Sequence, residues 1–212
     1  MTGIHFWSLV NIMRSAAQPK TTRDAILDAT DRMLAKYGYK KMTIDDLAKE
    51  VGIGKGSVYL HFKSKEEIAL SHIDRIIERL KQRLQTIAVS KGSVETRIRK
   101  MILGRIMYRF DSVQHYFQSL NELLSQLRPG LLERRRRYFE EEAKLFGVVL
   151  AEGKRSGVFR INNPIEVGRA ITDATNALLP YSLSAFELGE RSEVEKKARQ
   201  VADLIMNGLV RR

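Results

Sequence analysis

The stretch that most constrains the fold runs from Met42 to Lys65 and reads MTIDDLAKEVGIGKGSVYLHFKSK. Two short helices that cross at a steep angle need a small residue in the first helix, and Ala48 is placed there. Gly52 follows where the chain must reverse within a few residues, a turn whose backbone angle favours glycine. The second helix needs an apolar inner face, which the sequence supplies at Ile53, Val58 and Phe62. This joint spacing predicts a helix-turn-helix, a unit that binds DNA.

Capping residues mark the ends of these helices. Thr43 followed by Asp46 resembles a capping box, so the first helix of the unit begins at Thr43. Ser64 with Glu67 repeats the pattern and starts a further helix. The recognition helix between them is therefore predicted to be short, from about Lys55 to His61.

The region from about Thr22 to Leu70 resembles the TetR family of bacterial transcriptional regulators. The resemblance includes the ending Tyr-x-x-Phe-x-x-Lys, present here as Tyr59, Phe62 and Lys65. One departure is Gly54, where the family usually has a better capping residue such as Ser; glycine is only slightly worse as an N-cap. The resemblance implies an amino-terminal three-helix DNA-binding domain followed by a long fourth helix.

Hydrophobic periodicity predicts an all-α fold of about nine helices, because no stretch shows the two-residue alternation of strands. Residues 21–70 are the expected helix-turn-helix DNA-binding domain. A long helix from Lys65 to about Ala88 joins it to a helical effector-binding and dimerisation domain, residues 71–212. Further helices are expected at about 93–109, 113–126, 129–156, 164–179 and 193–210. Ser192 with Glu195 provides a capping box for the last one.

Residues 1–20 are expected to be an N-terminal extension, which is either disordered or the result of a mis-assigned start. Its apolar run IHFWSLVNIM is shorter than a membrane-spanning helix and has no positive residue ahead of it. Met13 as the true start is the favoured interpretation. The alternative is that Arg14 and Lys20 belong to an arm that reaches the minor groove.

Composition limits the classes of partner and site. The chain has 37 Lys plus Arg against 25 Asp plus Glu, a net charge of +12 that favours a polyanionic partner. It has no cysteine, which excludes disulfides, thiolate metal sites and cysteine nucleophiles and fits a cytoplasmic location. No apolar run is long enough to span a membrane, so no membrane partner is expected.

An enzyme is the rival interpretation, because VGIGKGS looks like a phosphate-binding loop. Its spacing argues against this, since Lys49 occupies the place of the first required glycine and Gly56 the place of the Ser or Thr. The four histidines show no metal-ligand pairing, and no catalytic triad or paired carboxylates stand out. We therefore expect no enzyme activity, no cofactor and no metal.

The family resemblance places five positions at the DNA, Lys55, Gly56, Ser57, Tyr59 and His61, and the helix starts add Thr43 and Lys65. Lys55 can bond guanine or a phosphate, and Ser57 can bond a base edge or a phosphate. Gly56 removes bulk where the helix approaches the duplex. Tyr59 and His61 position the duplex rather than specify its sequence. The alternative for these two is packing within the small domain.

Thr43 and Lys65 lie at helix starts, where free backbone amides attract phosphate, so both are assigned to the DNA backbone. The alternative for Thr43 is that capping consumes its hydroxyl, which leaves only its backbone amide for this role.

The resemblance also implies a homodimer formed by the last two long helices and a small-molecule site in the larger domain. The apolar stripes for the dimer, ordinary core in a monomer, are Val167, Ile171, Ala174, Leu178, Val194, Ala198, Val201, Ile205 and Leu209. The pocket candidates, more often core than pocket, are Met101, Met107, Tyr108, Phe110, Tyr116, Phe117, Leu120, Phe139 and Phe146, with Asp173 and Asn176 as polar contacts. They favour an apolar or amphipathic effector. The run 134–137 is expected to be a solvated face that pairs with the glutamates at 140–142.

The expected function is a DNA-binding transcriptional repressor that binds a palindromic double-stranded operator as a homodimer and is released by the effector. The alternative is an architectural or division-linked DNA-binding protein on the same fold, without a small-molecule effector.

Overall fold

The computed structural model describes residues 21–180 and 189–210, without the side chains of residues 117–119. These residues form eight α-helices, one 3-10 helix and no β-strand, as the sequence predicts for an all-α fold. The helices are α1 (Thr22–Lys41), α2 (Ile44–Val51), α3 (Lys55–His61), α4 (Lys65–Ala88), α5 (Val94–Val113), the 3-10 helix (Gln114–Ser119), α6 (Leu120–Arg155), α7 (Pro164–Asn176) and α8 (Arg191–Leu209). The predictions for residues 1–20, including Met13, Arg14 and Lys20, lie outside the described residues.

Two helices, α2 and α4, begin at the capping residues that the sequence predicts. Thr43 precedes α2 and its hydroxyl accepts a hydrogen bond from the Asp46 amide at 3.1 Å. Ser64 caps α4 in the same way, through the Glu67 amide at 3.1 Å. The predicted bounds of the recognition helix and of α4 are confirmed. Local capping therefore determines the start of both α2 and α4.

The predicted break between 126 and 129 is wrong, because α6 runs without interruption through Pro129. A proline inside a helix loses one backbone hydrogen bond and crowds the preceding turn. Apolar residues buried on both sides of it, Leu127 before and Tyr138 after, hold the helix against the domain core. Next to the proline, a Cβ added to Gly130 would lie 2.6 Å from Leu70 Cδ1, so α6 packs closely on α4. Tertiary packing overrides the local signal here.

The start of the last helix also differs from the prediction. α8 begins at Arg191, and Glu190 is the N-cap residue without a side-chain cap hydrogen bond. The expected capping box of Ser192 and Glu195 is therefore wrong. Glu195 instead accepts hydrogen bonds from Arg191 and Arg199, each four residues away on the same helix. These i, i+4 ion pairs use the carboxylate that the box would need.

Two separate connections join the first three helices to the rest of the chain. One is α4, whose buried residues run from Ile68 to Ala88. The other is the end of α1, where the Lys40 amide donates a 2.9 Å hydrogen bond to Glu122 Oε1 on α6. α1 also packs on the 3-10 helix. The first three helices are thus held by α4 and by α6 together.

Candidate nucleic-acid interface and ligand cavity

The recognition helix α3 is fixed from its inner face. Val58 is 0% exposed and Phe62 is 1% exposed, so both belong to the hydrophobic core. Gly52 has φ +77°, a left-handed conformation that glycine adopts without strain, and the Ile53 amide donates to Ala48 O at 2.9 Å. The predicted role of Gly52 as the turn residue is confirmed.

The outer face of α3 carries the predicted DNA-contacting positions. Lys55, Gly56, Tyr59 and His61 are exposed, and Ser57 is partly buried. Leu60, which the sequence analysis did not select, is 85% exposed. Because it lies two residues from both Val58 and Phe62, it lies on the opposite side of the helix. A leucine in the middle of an otherwise polar helix face was the sequence signal that could have identified this position.

Glycine at position 56 is not required by the fold. A Cβ added there would meet no atom of the described chain within 4 Å, and the backbone is helical. Helices favour alanine over glycine by about 0.5–1 kcal/mol. The missing side chain at Gly56 is therefore consistent with close approach of an external partner.

Two of the predicted contact residues are engaged within the protein. Lys55 Nζ lies 2.7 Å from Asp45 Oδ2 on α2, and this hydrogen bond raises the pKa of the Lys55 ammonium. Lys65 Nζ donates to the carbonyl oxygens of Tyr39 at 3.1 Å and Lys40 at 3.3 Å, and it lies 4.5 Å from the Tyr39 ring centroid. Lys65 thus ties the start of α4 to the end of α1.

The Thr43 hydroxyl is also engaged in hydrogen bonds within the protein. Its hydroxyl accepts from the Asp46 amide and donates to Asp46 Oδ2 at 2.6 Å. The residue itself is exposed at the start of α2. Only a backbone contact to phosphate is therefore open to Thr43.

A cavity of about 100 Å³ lies between α4, α5 and α6. Its lining combines apolar residues with three arginines: Ile73, Arg109, Leu124, Arg128, Leu131, Leu132, Arg135, Tyr138 and Phe139. Of the predicted pocket residues that the structure describes, it contains Phe139 alone. The described residues include no group of three or more His, Asp or Glu side chains that could hold a metal ion.

The structure places the other predicted pocket residues elsewhere. Met101, Phe110, Tyr116, Leu120 and Phe146 are buried in the core, where aromatic and methionine side chains on inner helix faces normally lie. Met107 and Tyr108 border two other grooves. Asp173 is exposed and Asn176 is partly buried, while the Phe117 side chain lies outside the described residues.

A buried ion cluster lies behind this cavity. Arg105 Nε donates to Glu142 Oε2 at 2.7 Å, Arg105 Nη1 donates to Thr175 Oγ1 at 2.6 Å, and Arg109 binds both carboxylate oxygens of Glu142. Both arginines and the glutamate have fully buried side chains. Burial lowers the pKa of Arg105 to about 10. Burial also opposes ionisation of Glu142, but the charges of Arg109 and Arg105 outweigh it and lower the Glu142 pKa.

Comparison with known proteins identifies the DNA-binding helices. Residues 26–71 match the family model described as "Bacterial regulatory proteins, tetR family". The chain is 28% identical over 205 residues to the HTH-type transcriptional repressor KstR2 of Mycolicibacterium smegmatis, covering 91% of this chain and 93% of that protein. It is 26% identical over 192 residues to the fatty acid metabolism regulator protein of Bacillus subtilis, covering 87% and 93% of the two chains.

The fold is also shared with solved structures. A transcriptional regulator from Cytophaga hutchinsonii superposes with a TM-score of 0.73 at 20% identity, covering 88% of this chain and 97% of that one. The fatty acid degradation regulator FadR from Bacillus halodurans gives 0.67 at 19% identity, covering 93% and 100%.

The DNA-binding helices of this chain belong to the TetR family. Like its relatives, this protein is a DNA-binding transcriptional regulator and not an enzyme. In the part of the chain that the structure describes, no helix has the length and apolar character needed to cross a membrane.

The arginine run at residues 134–137 does not pair as expected. Arg134 Nε and Arg137 Nη2 lie 3.3 and 3.4 Å from the carboxylate of Asp74 on α4. The three expected partners are used by other cations: Glu140 pairs with Arg169, Glu141 with Lys81, and Glu142 with Arg105 and Arg109. Sequence spacing suggested pairs along one helix, but the structure forms pairs between helices.

The residues predicted for the dimer interface fall into two groups. Ile171, Val194, Ala198 and Leu209 are buried in the core of the single chain, so they have little surface left for a second copy. Ala174 is exposed, and Val167, Leu178, Val201 and Ile205 are partly buried. Leu204, which the sequence analysis missed, is 74% exposed on α8.

Proposed function

We propose that this protein is a cytoplasmic, ligand-responsive repressor that binds a palindromic double-stranded operator as a homodimer. The observation that carries the proposal is the outer face of α3. This face exposes polar side chains and a bare glycine backbone, while Val58 and Phe62 hold the helix from within. The relative named as a transcriptional repressor, KstR2 of Mycolicibacterium smegmatis, supports the direction of regulation.

The proposed division of labour follows the domains. Residues 21–70 bind DNA, with Lys55 and Ser57 at base edges and Tyr59 and His61 positioning the duplex. Thr43 contacts the phosphate backbone through its amide. Lys65 does so only if its ammonium leaves the Tyr39 and Lys40 carbonyls. Residues 71–212 hold the effector and the dimer interface.

We propose the exposed side of α7 and α8 as the dimer interface. It presents Ala174 on α7 with Val201, Leu204 and Ile205 on α8. A second copy would cover these apolar side chains and form a four-helix contact. The two recognition helices of such a dimer would contact half-sites about 34–36 Å apart, one turn of duplex.

The effector would act by shifting an equilibrium between two orientations of the DNA-binding helices. It can do so only if it binds the non-binding orientation more tightly. The position of the cavity supports this, because Ile73 on α4 lines it and α4 follows the recognition helix after the short connection 62–64.

Selection of bound duplexes from a random DNA pool at physiological salt tests the proposal. The expected result is an enriched palindrome with two half-sites about one helical turn apart. Binding without an enriched sequence would overturn it in favour of an architectural role, an alternative that the repressor names of the relatives do not favour.

A further inference from the structure

The cavity between α4, α5 and α6 has an unusual chemical composition for an apolar pocket. Leu124, Leu131 and Phe139 supply an apolar wall. Arg128 and Arg135 lie on α6 at positions seven residues apart, so they lie on the same side of the helix, two turns apart. An apolar wall bordered by guanidinium groups is complementary to a molecule with an apolar body and a negative head.

Among the described residues, no carboxylate pairs with Arg128 or Arg135, whereas their neighbours Arg134 and Arg137 both pair with Asp74. In the described chain, the Arg135 guanidinium group contacts the Phe139 ring, and its central carbon lies 5.0 Å from the ring centroid. Both guanidinium groups can therefore bind an anion without breaking an ion pair with a described residue.

The floor of the cavity contains a third arginine. Arg109 lines the cavity and is 1% exposed. Together with Arg105 it binds the carboxylate of Glu142.

We propose that the effector of this protein is an anionic amphiphile, with its apolar body in this cavity and its carboxylate or phosphate head between Arg128 and Arg135. The inference rests on the proposed effector-responsive function and names the chemical class of its ligand. A cationic amphiphile would meet three guanidinium groups and is excluded by repulsion. A neutral one would leave both arginines without the added interaction.

Calorimetric titration of the full-length protein without DNA tests this class of ligand. The probes are octanoate and octyl phosphate, with 1-octanol and octylammonium as isosteric neutral and cationic controls, all below their micellar concentrations. We expect both anions to bind at least about tenfold more tightly than the two controls, because charge-assisted hydrogen bonds are the stronger ones. The ratio of the two anions distinguishes a carboxylate head from a phosphate head. Equal binding of octanol would overturn the proposal.

Substitution of the two arginines tests the position of the head. The double variant Arg128→Gln/Arg135→Gln is expected to bind octanoate about tenfold more weakly and to lose the preference over octanol. Arg136→Gln is the matched control, because Arg136 lies on the same helix, is exposed and does not line the cavity. Its octanoate affinity should be unchanged. Equal losses in both proteins, or none in the double variant, would contradict the assignment.

The two proposals fail in different ways. Calorimetry without DNA reports on the cavity, and duplex selection with the ligand-free protein reports on operator binding. If the anions bind with the expected preference and no operator is enriched, the ligand class stands and the repressor function is wrong. If an operator is enriched and the anions bind no better than octanol, the ligand class is wrong.

Discussion

The Tyr138 hydroxyl on α6 donates a hydrogen bond to the carboxylate of Asp74 on α4. Tyr138 lines the ligand cavity, and Asp74 directly follows Ile73, which lines it from the other helix. Arg134 and Arg137 contact the same carboxylate. A molecule bound in the cavity would therefore lie next to a polar contact between α6 and α4, the helix that follows the recognition helix.

Tyr138→Phe should weaken the coupling between effector and operator. The variant keeps the ring in the cavity wall but loses the hydroxyl that contacts Asp74. We expect the ratio of operator affinities without and with octanoate to fall about fivefold, while octanoate affinity changes little. Fluorescence anisotropy with labelled operator measures the ratio. Tyr37→Phe makes the same chemical change at an exposed tyrosine and should leave it unaltered; a similar fall there would contradict the role of Tyr138.

Gly56→Ala should separate fold stability from DNA binding. Alanine in a helix is favoured over glycine, so the free energy of unfolding should rise by about 0.5 kcal/mol or more. Operator affinity should fall about tenfold, because a methyl group at a close helix–DNA contact is an overpacking change costing about 1–3 kcal/mol. Urea denaturation and anisotropy measure the two quantities. Gly104→Ala in α5 is the control, whose operator affinity should not change; equal affinity of Gly56→Ala and the parent would place Gly56 away from the DNA.

His72 should make the protein less stable in mild acid. Burial lowers the pKa of His72 from 6.5 to about 4, with Arg75 and Arg79 adding to the shift and Asp31 opposing it. Between these pH values the unfolded chain binds a proton that the folded chain does not, so stability is lost as pH falls from 6.5 towards 4. The full loss is about 3 kcal/mol.

Urea denaturation at several pH values measures this dependence. His72→Phe should flatten it between pH 6.5 and 4, because the aromatic ring is retained and the titration is removed. The exposed His115, changed to Gln, is the control that should leave the slope in place. A slope that persists in His72→Phe would assign it to other groups.

Leu204→Glu should convert the proposed dimer into a monomer. A carboxylate at the centre of an apolar interface must lose its hydration without gaining a partner, and the two-fold symmetry places two such charges in one interface. Sedimentation velocity should show the mass of one chain, and affinity for the palindrome should fall towards that for a half-site. Val89→Glu introduces the same charge at another exposed apolar position and should remain dimeric. A dimeric Leu204→Glu protein would move the interface elsewhere.

The sequence allowed accurate prediction where structure depends on neighbours in the chain. Capping by Thr43 and Ser64 and the left-handed turn at Gly52 involve residues only a few positions apart, so the bounds of α3 and α4 were predictable. The passage of α6 through Pro129 was not, because long-range packing stabilises it.

The candidate ligand site was harder to predict for the same reason. The Arg105–Glu142 pair joins residues 37 positions apart. Aromatic and methionine spacing identifies inner helix faces but does not distinguish core from cavity. The predicted set therefore includes both Phe139, which lines the cavity, and Phe146, which lies in the core.

The presence of two connections between the domains has a genetic consequence. Asp74 on α4 and Glu122 on α6 contact different parts of the chain, one at the cavity wall and one at the end of α1. Substitutions that weaken induction while preserving operator binding should therefore fall into two groups, one around each carboxylate. Loss of either contact leaves the other intact, so single mutants should retain partial inducibility, and full loss should require a change in both groups.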